Sequence, residues 1–261
     1  MTGVRIFFVG GLISYRALFG FLNPWIFVPS LLVAPIFQIL LFAYIGRSAG
    51  LQSDKFYVIG NAVQYTAIPC LFAMTQTIAG ERYQQTLGYL LVTPARRLPL
   101  FLGRAVPVIA NGFFVGVFAL VVGGAILGID VPASAYAPLA LVTAVAAYSC
   151  TGLGLINAAL GLVIRETAVL SNVIFGLLLI FTGANVPLDD LPQWMQSVAH
   201  VLPFTHAIEA AREVADGVPF SEVSGLVATE AAIGTVYVVA GYLTLHWIEI
   251  VSRRRATLEK A

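Results

Sequence analysis

The chain has 261 residues, of which 59% are hydrophobic and 10% charged, with a net charge of +1 and a mean hydropathy of +0.90. An ordinary soluble domain carries about 25% charged residues, so that class is excluded. The near-neutral balance leaves no basic footprint for a nucleic acid, and none is expected as a partner. What remains is an all-α polytopic membrane protein.

The first 23 residues have no charged–apolar–small order and no small-residue cleavage site, so no removed signal peptide is expected. Arg5 and Arg16 interrupt the segment too often for it to span. Ile6, Phe7, Val9, Leu12, Ile13, Leu18, Phe19 and Leu22 instead suit a helix lying in the membrane interface, with the arginines reaching for head groups, in preference to the alternative of a frayed tail. Six apolar runs follow, at 24–46, 56–78, 104–128, 136–164, 169–187 and 226–251, each near the length that crosses the hydrocarbon core. Pro and Gly inside several of them are tolerated because neighbouring helices re-satisfy the backbone. Cys70 and Cys150 both lie inside apolar runs, as packing residues do, and no metal site is expected.

Positive charge sets the orientation. With both ends cytoplasmic, the inner side holds Arg5, Arg16, Arg82, Arg96, Arg97, Arg104, Arg165, Arg253, Arg254, Arg255 and Lys260. The outer side holds only Arg47, Lys55 and Arg212. The expected organisation is one transmembrane domain over 1–261. It comprises an interfacial helix at 1–23, spans one to five within 24–187, outer re-entrant helices at 188–216, span six at 226–251 and a cytoplasmic tail at 252–261.

Between spans two and three lies the most polar interior stretch, residues 79–104. Tyr83, Leu87, Leu90 and Leu91 recur at helical spacing and form one apolar face, while Glu81, Gln84, Gln85 and Gly88 lie away from it. Thr93-Pro94 ends the element. A short amphipathic helix on the cytoplasmic face either lies flat on lipid or presents its polar side to a soluble partner.

"GERYQQTLGYLLVTPARRLPLFLGR" resembles the segment after the second span in permease subunits of ABC-2 type exporters. Glu81-Arg82, Thr86-Leu87, Leu90-Leu91 and Thr93-Pro94 stand where that family's pattern has them. Gln85 and Gly88 depart from it, standing where the family often has Gly and Glu, and the missing acid leaves fewer charges for docking. "FTGANVPLDDLPQWMQSVAHVLPFTHAIEAAREVADG" (181–217) is similar to the family's segment between spans five and six. Leu191, Trp194, Met195 and Val198 make one apolar stripe there, with Asp189 or Asp190 placed to cap its start. Pro203 separates that piece from a second helix carrying His206, Glu209, Arg212 and Glu213.

The resemblance implies a half-transporter. Two permease chains, identical or paralogous, would form the pathway, and two copies of a separate ATP-binding cassette subunit, carrying the ATP and magnesium, would drive it. Glu81, Arg82, Tyr83, Gln84, Gln85 and Leu87 would seat on that ATPase. Arg165-Glu166, in the turn between spans four and five, either touches the same partner or caps helices. Spans one and five would meet across the dimer, lined by Phe37, Leu40, Phe175 and Leu179. Asp189, Asp190, Trp194, His206 and Glu209 would belong to outer helices dipping toward the exit. The implied cargo is a hydrophobic or amphipathic compound such as a drug, antibiotic or lipid; a polysaccharide or glycolipid exporter is the alternative on the same scaffold.

The only lysines, Lys55 and Lys260, follow no glycine, so the chain has no P-loop and no enzymatic role of its own is expected. Ser48 and His246 fall near opposite ends of their spans, too far apart for a Ser/His pair. An ion-coupled carrier needs an acid or His deep in a span. Glu230, Glu249 and His246 all read as lying within about two helical turns of an interface, within reach of water. Neutral polar residues are commoner in the spans: Gln38, Asn61, Gln64, Gln76, Asn111, Asn157, Asn172 and Asn185. Helix-to-helix hydrogen bonding is their expected role, and Gln38, Asn61 and Gln64 are also pathway candidates. Glycines at 112, 116, 123, 124 and 128, and from 152 to 161, are expected to let helices approach closely within the bundle.

Overall fold

The computed structural model describes residues 8–11, 24–83, 97–164 and 166–255. Among them every regular element is helical. The first apolar helix starts with a turn at Pro24–Phe27 and a π-helical stretch at Val28–Val33, then continues as α1 (Ala34–Ala49). Gly50, at φ +65°, takes the left-handed conformation that ends α1. Ser53 caps α2 (Asp54–Gln64) by accepting from the Phe56 N–H. The helix then passes through a turn at 65–66 into a π-helical stretch, Ile68–Ala73, and resumes as α3 (Met74–Tyr83). Pro69 lacks the N–H that an unbroken α-helical ladder would use there.

The remaining elements are α4 (Arg97–Leu127), α5 (Tyr136–Leu160), α6 (Thr167–Phe181), α7 (Gln193–Ala199), α8 (Thr205–Ala215) and α9 (Phe220–Arg255). Among the described residues five helical stretches are long and apolar enough to cross a membrane: Val28–Ala49, Asp54–Thr77, Leu102–Leu127, Ala133–Leu160 and Phe220–Ile248. The run expected at 169–187 is a shorter apolar helix. α6 has 15 residues and stops where Thr182 turns its hydroxyl back to the Leu178 carbonyl and Gly183 adopts φ +78°. At 1.5 Å per residue that gives roughly 22 Å, short of the hydrocarbon thickness. The last helix starts at Phe220, six residues before the expected 226, which changes the depth of everything on it.

The tightest seam joins α5 to α9, which run parallel. Tyr148 meets Thr235 at 3.0 Å between their hydroxyls. A Cβ on Gly152 would stand 2.8 Å from the Gly234 carbonyl oxygen, and one on Gly234 would stand 2.7 Å from Ser149 Cα. Both obstacles are backbone, so only glycine allows this approach, as the small-residue spacing anticipated. α4 lies beside α5 and α2, with Gly112 against Cys70 and Gly116 against Thr66 and Thr143. Cys70 and Cys150 are both free and fully buried, as packing residues.

Candidate functional site

The two ends of the bundle carry different chemistry. At one end Asn157 of α5 donates to Thr75 Oγ1 of α3 at 2.9 Å and to Ser171 Oγ of α6 at 2.6 Å, and Arg104 of α4 donates to the Thr77 carbonyl at 2.7 Å. These bonds gather the first turn of α3, the end of α5, the start of α6 and the start of α4. Glu81, Arg82 and Tyr83 form the last residues of α3 at this end. Glu166, exposed and without a capping hydrogen bond, precedes α6 at the same end. Gln84, Gln85, Leu87 and Arg165 lie outside the described residues, as do most of the expected interfacial helix and residues 256–261.

In the middle, three of the polar residues singled out from sequence meet. Gln38 Nε2 of α1 donates to Asn61 Oδ1 of α2 at 3.0 Å, and Asn61 Nδ2 donates to Asn185 Oδ1 at 2.9 Å. Asn185 in turn donates to the Leu179 carbonyl at 3.3 Å. This chain of amides links the first helix, the second and the end of α6. Asn61 is fully buried and also bonds the Tyr57 carbonyl. Gln64, one turn further on, is fully buried with no hydrogen-bond partner for either side-chain polar atom. Outside this chain, Phe37, Leu40, Leu41, Tyr44, Ile45 and Ser48 line an open, apolar groove of about 600 Å³ along α1. Phe37 is exposed, whereas Phe175 and Leu179 of α6 are half-buried.

At the other end sit α7 and α8. Asp189 and Asp190 are exposed in a 3-10 turn (Leu188–Asp190) and neither caps α7, which begins after Pro192 without a side-chain cap. The expected Asp cap is therefore wrong. Leu191-Pro192 was the better signal, because proline fits the start of a helix without a donor. Trp194 packs edge-on against Phe181 with ring centroids 5.9 Å apart. His206 stacks on His200 at 5.5 Å, with Nε2 3.2 Å from the His200 carbonyl, and Glu209 is exposed.

Two residues here carry more of the structure than the sequence indicated. Arg212 donates through Nη2 to the carbonyls of Phe56, Gly183 and Ala184 at 3.3, 2.9 and 3.1 Å, and its guanidinium lies 3.5 Å from the Phe56 ring centroid. Burial lowers its pKa to about 10, which still leaves it charged at neutral pH. It satisfies carbonyls that the end of α6 leaves unpaired. Glu230 is not within reach of water. It is fully buried, and its oxygens accept from the N–H groups of Phe204 at 2.9 Å and Ala207 at 3.3 Å. Starting α9 at Phe220 places Glu230 ten residues inside the helix, which is why it looked superficial from sequence.

The sequence model of the ABC-2 type transporter family matches residues 12–215. The chain is also 24% identical over 162 residues to the probable multidrug ABC transporter permease YbhR of Escherichia coli K12. That stretch covers 61% of this chain and 44% of the relative, and the same holds for the YbhR of Escherichia coli O157:H7. The matched stretch thus spans less than half the length of these relatives.

Proposed function

The chain belongs to the ABC-2 type transporter family, and from that premise we propose that it is the permease subunit of an ATP-driven exporter of hydrophobic or amphipathic compounds. As a member of that family with five apolar membrane-length helices among its described residues, it is an integral membrane transport component. The family match carries the reading, because it runs unbroken through both segments that the sequence singled out, the polar stretch after the second span and the helical pair before the last. A relative named as a probable multidrug permease supports a drug-like rather than a polysaccharide cargo.

In this reading α6 and the residues after it complete a sixth crossing, both termini are cytoplasmic, and α7 and α8 lie at the outer end. The end that holds Glu81, Arg82 and Glu166 then faces the cytoplasm, where two ATP-binding subunits, with ATP and magnesium, dock. Closure of those subunits pushes on the end of α3. The interruption at 65–73 supports a hinge in this helix, since tight three-residue bonds such as Thr66 N–H to Val63 and Ile68 N–H to Tyr65 inside a helix often mark hinges, and π-helical stretches recur at functional sites. The push tilts α3 against α2, whose outer half is held by Asn61 and Arg212. Two permease chains, meeting along α1 and α6, open a path between them.

Glu230 meets the burial criterion for an ion-coupled carrier, but both of its oxygens are engaged by backbone N–H groups, which suits a helix cap better than a proton relay. The test is a copurification of the full chain with the ATP-binding subunit encoded beside it. A two-plus-two complex is expected, with an ATPase rate that changes in Glu81→Ala while the membrane chain stays folded. A chain that purifies alone and alters no ATPase overturns the proposal.

A further inference from the structure

We propose that Glu230 is a positioning residue of transport, which holds α8 as a fixed part of the bundle and so confines movement at that end to α7. The inference rests on the exporter reading above. It begins from the first turn of α8, whose N–H groups have no partner within the helix. Phe204 precedes α8 at φ +83°, a left-handed conformation that bulky residues rarely adopt, and supplies no side-chain cap. The Phe204 ring is fully buried and its N–H is held by Glu230. The same carboxylate takes the Ala207 N–H, so one side chain of α9 holds both the residue before α8 and the third residue of its first turn. Ser149 of α5, also fully buried, stands beside it.

The last turn of α8 is held from two further sides. Arg212 reaches the start of α2 and the loop after α6. Lys55 of α2 donates to the Ala215 carbonyl at 2.7 Å and pairs with Asp216 at 2.6 Å. Between these clamps Ala207, Ile208, Ala210, Ala211, Val214 and Ala215 are all buried.

α7 is built differently. Only Ala199 of its seven residues is buried. Gln196 and Ser197 bond carbonyls of their own segment, at Leu191 and Gln193. Its C-terminal side is tethered, with Thr205 Oγ1 on the Ala199 carbonyl at 2.6 Å and Tyr237 on the Val201 carbonyl at 3.1 Å. Its N-terminal side rests on α6 through the Phe181–Trp194 ring contact. A tilt of α6 about the Gly183–Ala184 loop that Arg212 holds therefore carries α7 about a pivot at 199–205 and leaves α8 in place.

Two measurements test this. In hydrogen–deuterium exchange on the full chain in nanodiscs, amides 205–211 are expected to exchange at least about tenfold slower than 193–199, and Glu230→Gln to remove about tenfold of that protection. Equal protection of α7 and α8 in the unmodified chain overturns the clamp, even if the variant does not fold. The second measurement uses spin labels on exposed positions of the complex with the ATP-binding subunit, pairing Gln193→Cys or Glu209→Cys with Ser224→Cys. Trapping nucleotide is expected to shift the 193–224 distance, leave 209–224 unchanged, and shift both in Glu230→Gln. A cap of purely structural value would lower melting temperature in that variant without making 209–224 respond to nucleotide, and that result overturns the positioning role. No response at either pair, with the exchange contrast intact, overturns the exporter reading and the transport role with it, and leaves the clamp as architecture.

Discussion

The first two apolar helices are neighbours of similar length and opposite placement. Val28–Ala49 has a mean hydropathy of 2.1, yet only 17% of its most apolar stretch is buried in the protein. Asp54–Thr77 has a mean hydropathy of 1.2, and 78% of its corresponding stretch is buried. In a soluble protein the greasier helix would be the interior one. Here the solvent around the bundle is itself apolar, so the helix that faces outward has to be greasier, and the protein interior takes the helix with amides. α2 places Asn61 and Gln64 inside, where the Gln38 and Asn185 amides pair with an Asn61 side chain that lipid would leave bare. α1 shows Phe37, Leu41, Tyr44 and Ile45 to its surroundings.

If α2 is interior because polar contacts hold it, removing those contacts should damage the fold far more than altering the surface of α1. The largest effect is expected at Arg212. Arg212→Met keeps an unbranched apolar stem but leaves the Phe56, Gly183 and Ala184 carbonyls without their donor and removes the contact with the Phe56 ring. We expect a loss of about 3 kcal/mol, the scale of a charge-assisted hydrogen bond plus buried unpaired acceptors. Thermal unfolding of the purified chain in detergent reads it directly. A melting temperature equal to that of the unmodified chain would mean that α2 is held by apolar packing alone.

A smaller loss is expected in the amide chain. Asn61→Ala strands Gln38 and Asn185 and should cost about 1–2 kcal/mol, since interhelical hydrogen bonds in membranes are worth less than their burial suggests. Combining it with Gln38→Ala should add less than the sum of the two single losses, with a coupling of about 0.6 kcal/mol, because both remove the same bond. Strict additivity would show that the Gln38–Asn61 bond contributes nothing to the attachment of α1.

What was legible in the sequence follows from the same contrast. Apolar runs announce themselves by composition, so the long helices, the close-packed glycines of α5 and the unbonded cysteines could be read directly. Gln38, Asn61 and Asn185 were each visible as polar residues in greasy surroundings, but their meeting depends on three separate elements and has no local pattern. α6 looked longer than it is because Thr182 and Gly183 sit inside a run whose hydropathy continues past them. Glu230 was misread for a related reason. Hydropathy marks where a helix becomes greasy, whereas α9 begins earlier, at Phe220, in a first turn that includes Glu222. Arg212 looked like one more charge on a polar helix face. Only the fold shows that the carbonyls closing α6 and the start of α2 converge on it.

The smallest effect on the fold, and the most direct test of what α1 faces, is expected at Phe37. The residue is 68% exposed and lines the apolar groove on α1, so it gives this single chain little packing to lose. Phe37→Ser should change the stability of one chain by less than about 0.5 kcal/mol, as substitutions away from a packed core usually do. A second permease chain seated on this face would feel the change differently. Burying an aromatic side chain at the centre of an interface contributes about 2 kcal/mol or more, so the variant should dissociate at least about tenfold more readily when counted by native mass spectrometry. The two measurements separate the roles of the helix. An unchanged melting temperature with a weakened dimer places α1 at the seam, and an unchanged dimer leaves the Phe37 face to lipid. A large loss of single-chain stability would contradict the contrast itself, because α1 would then be held by the residue it exposes rather than by Gln38 behind it.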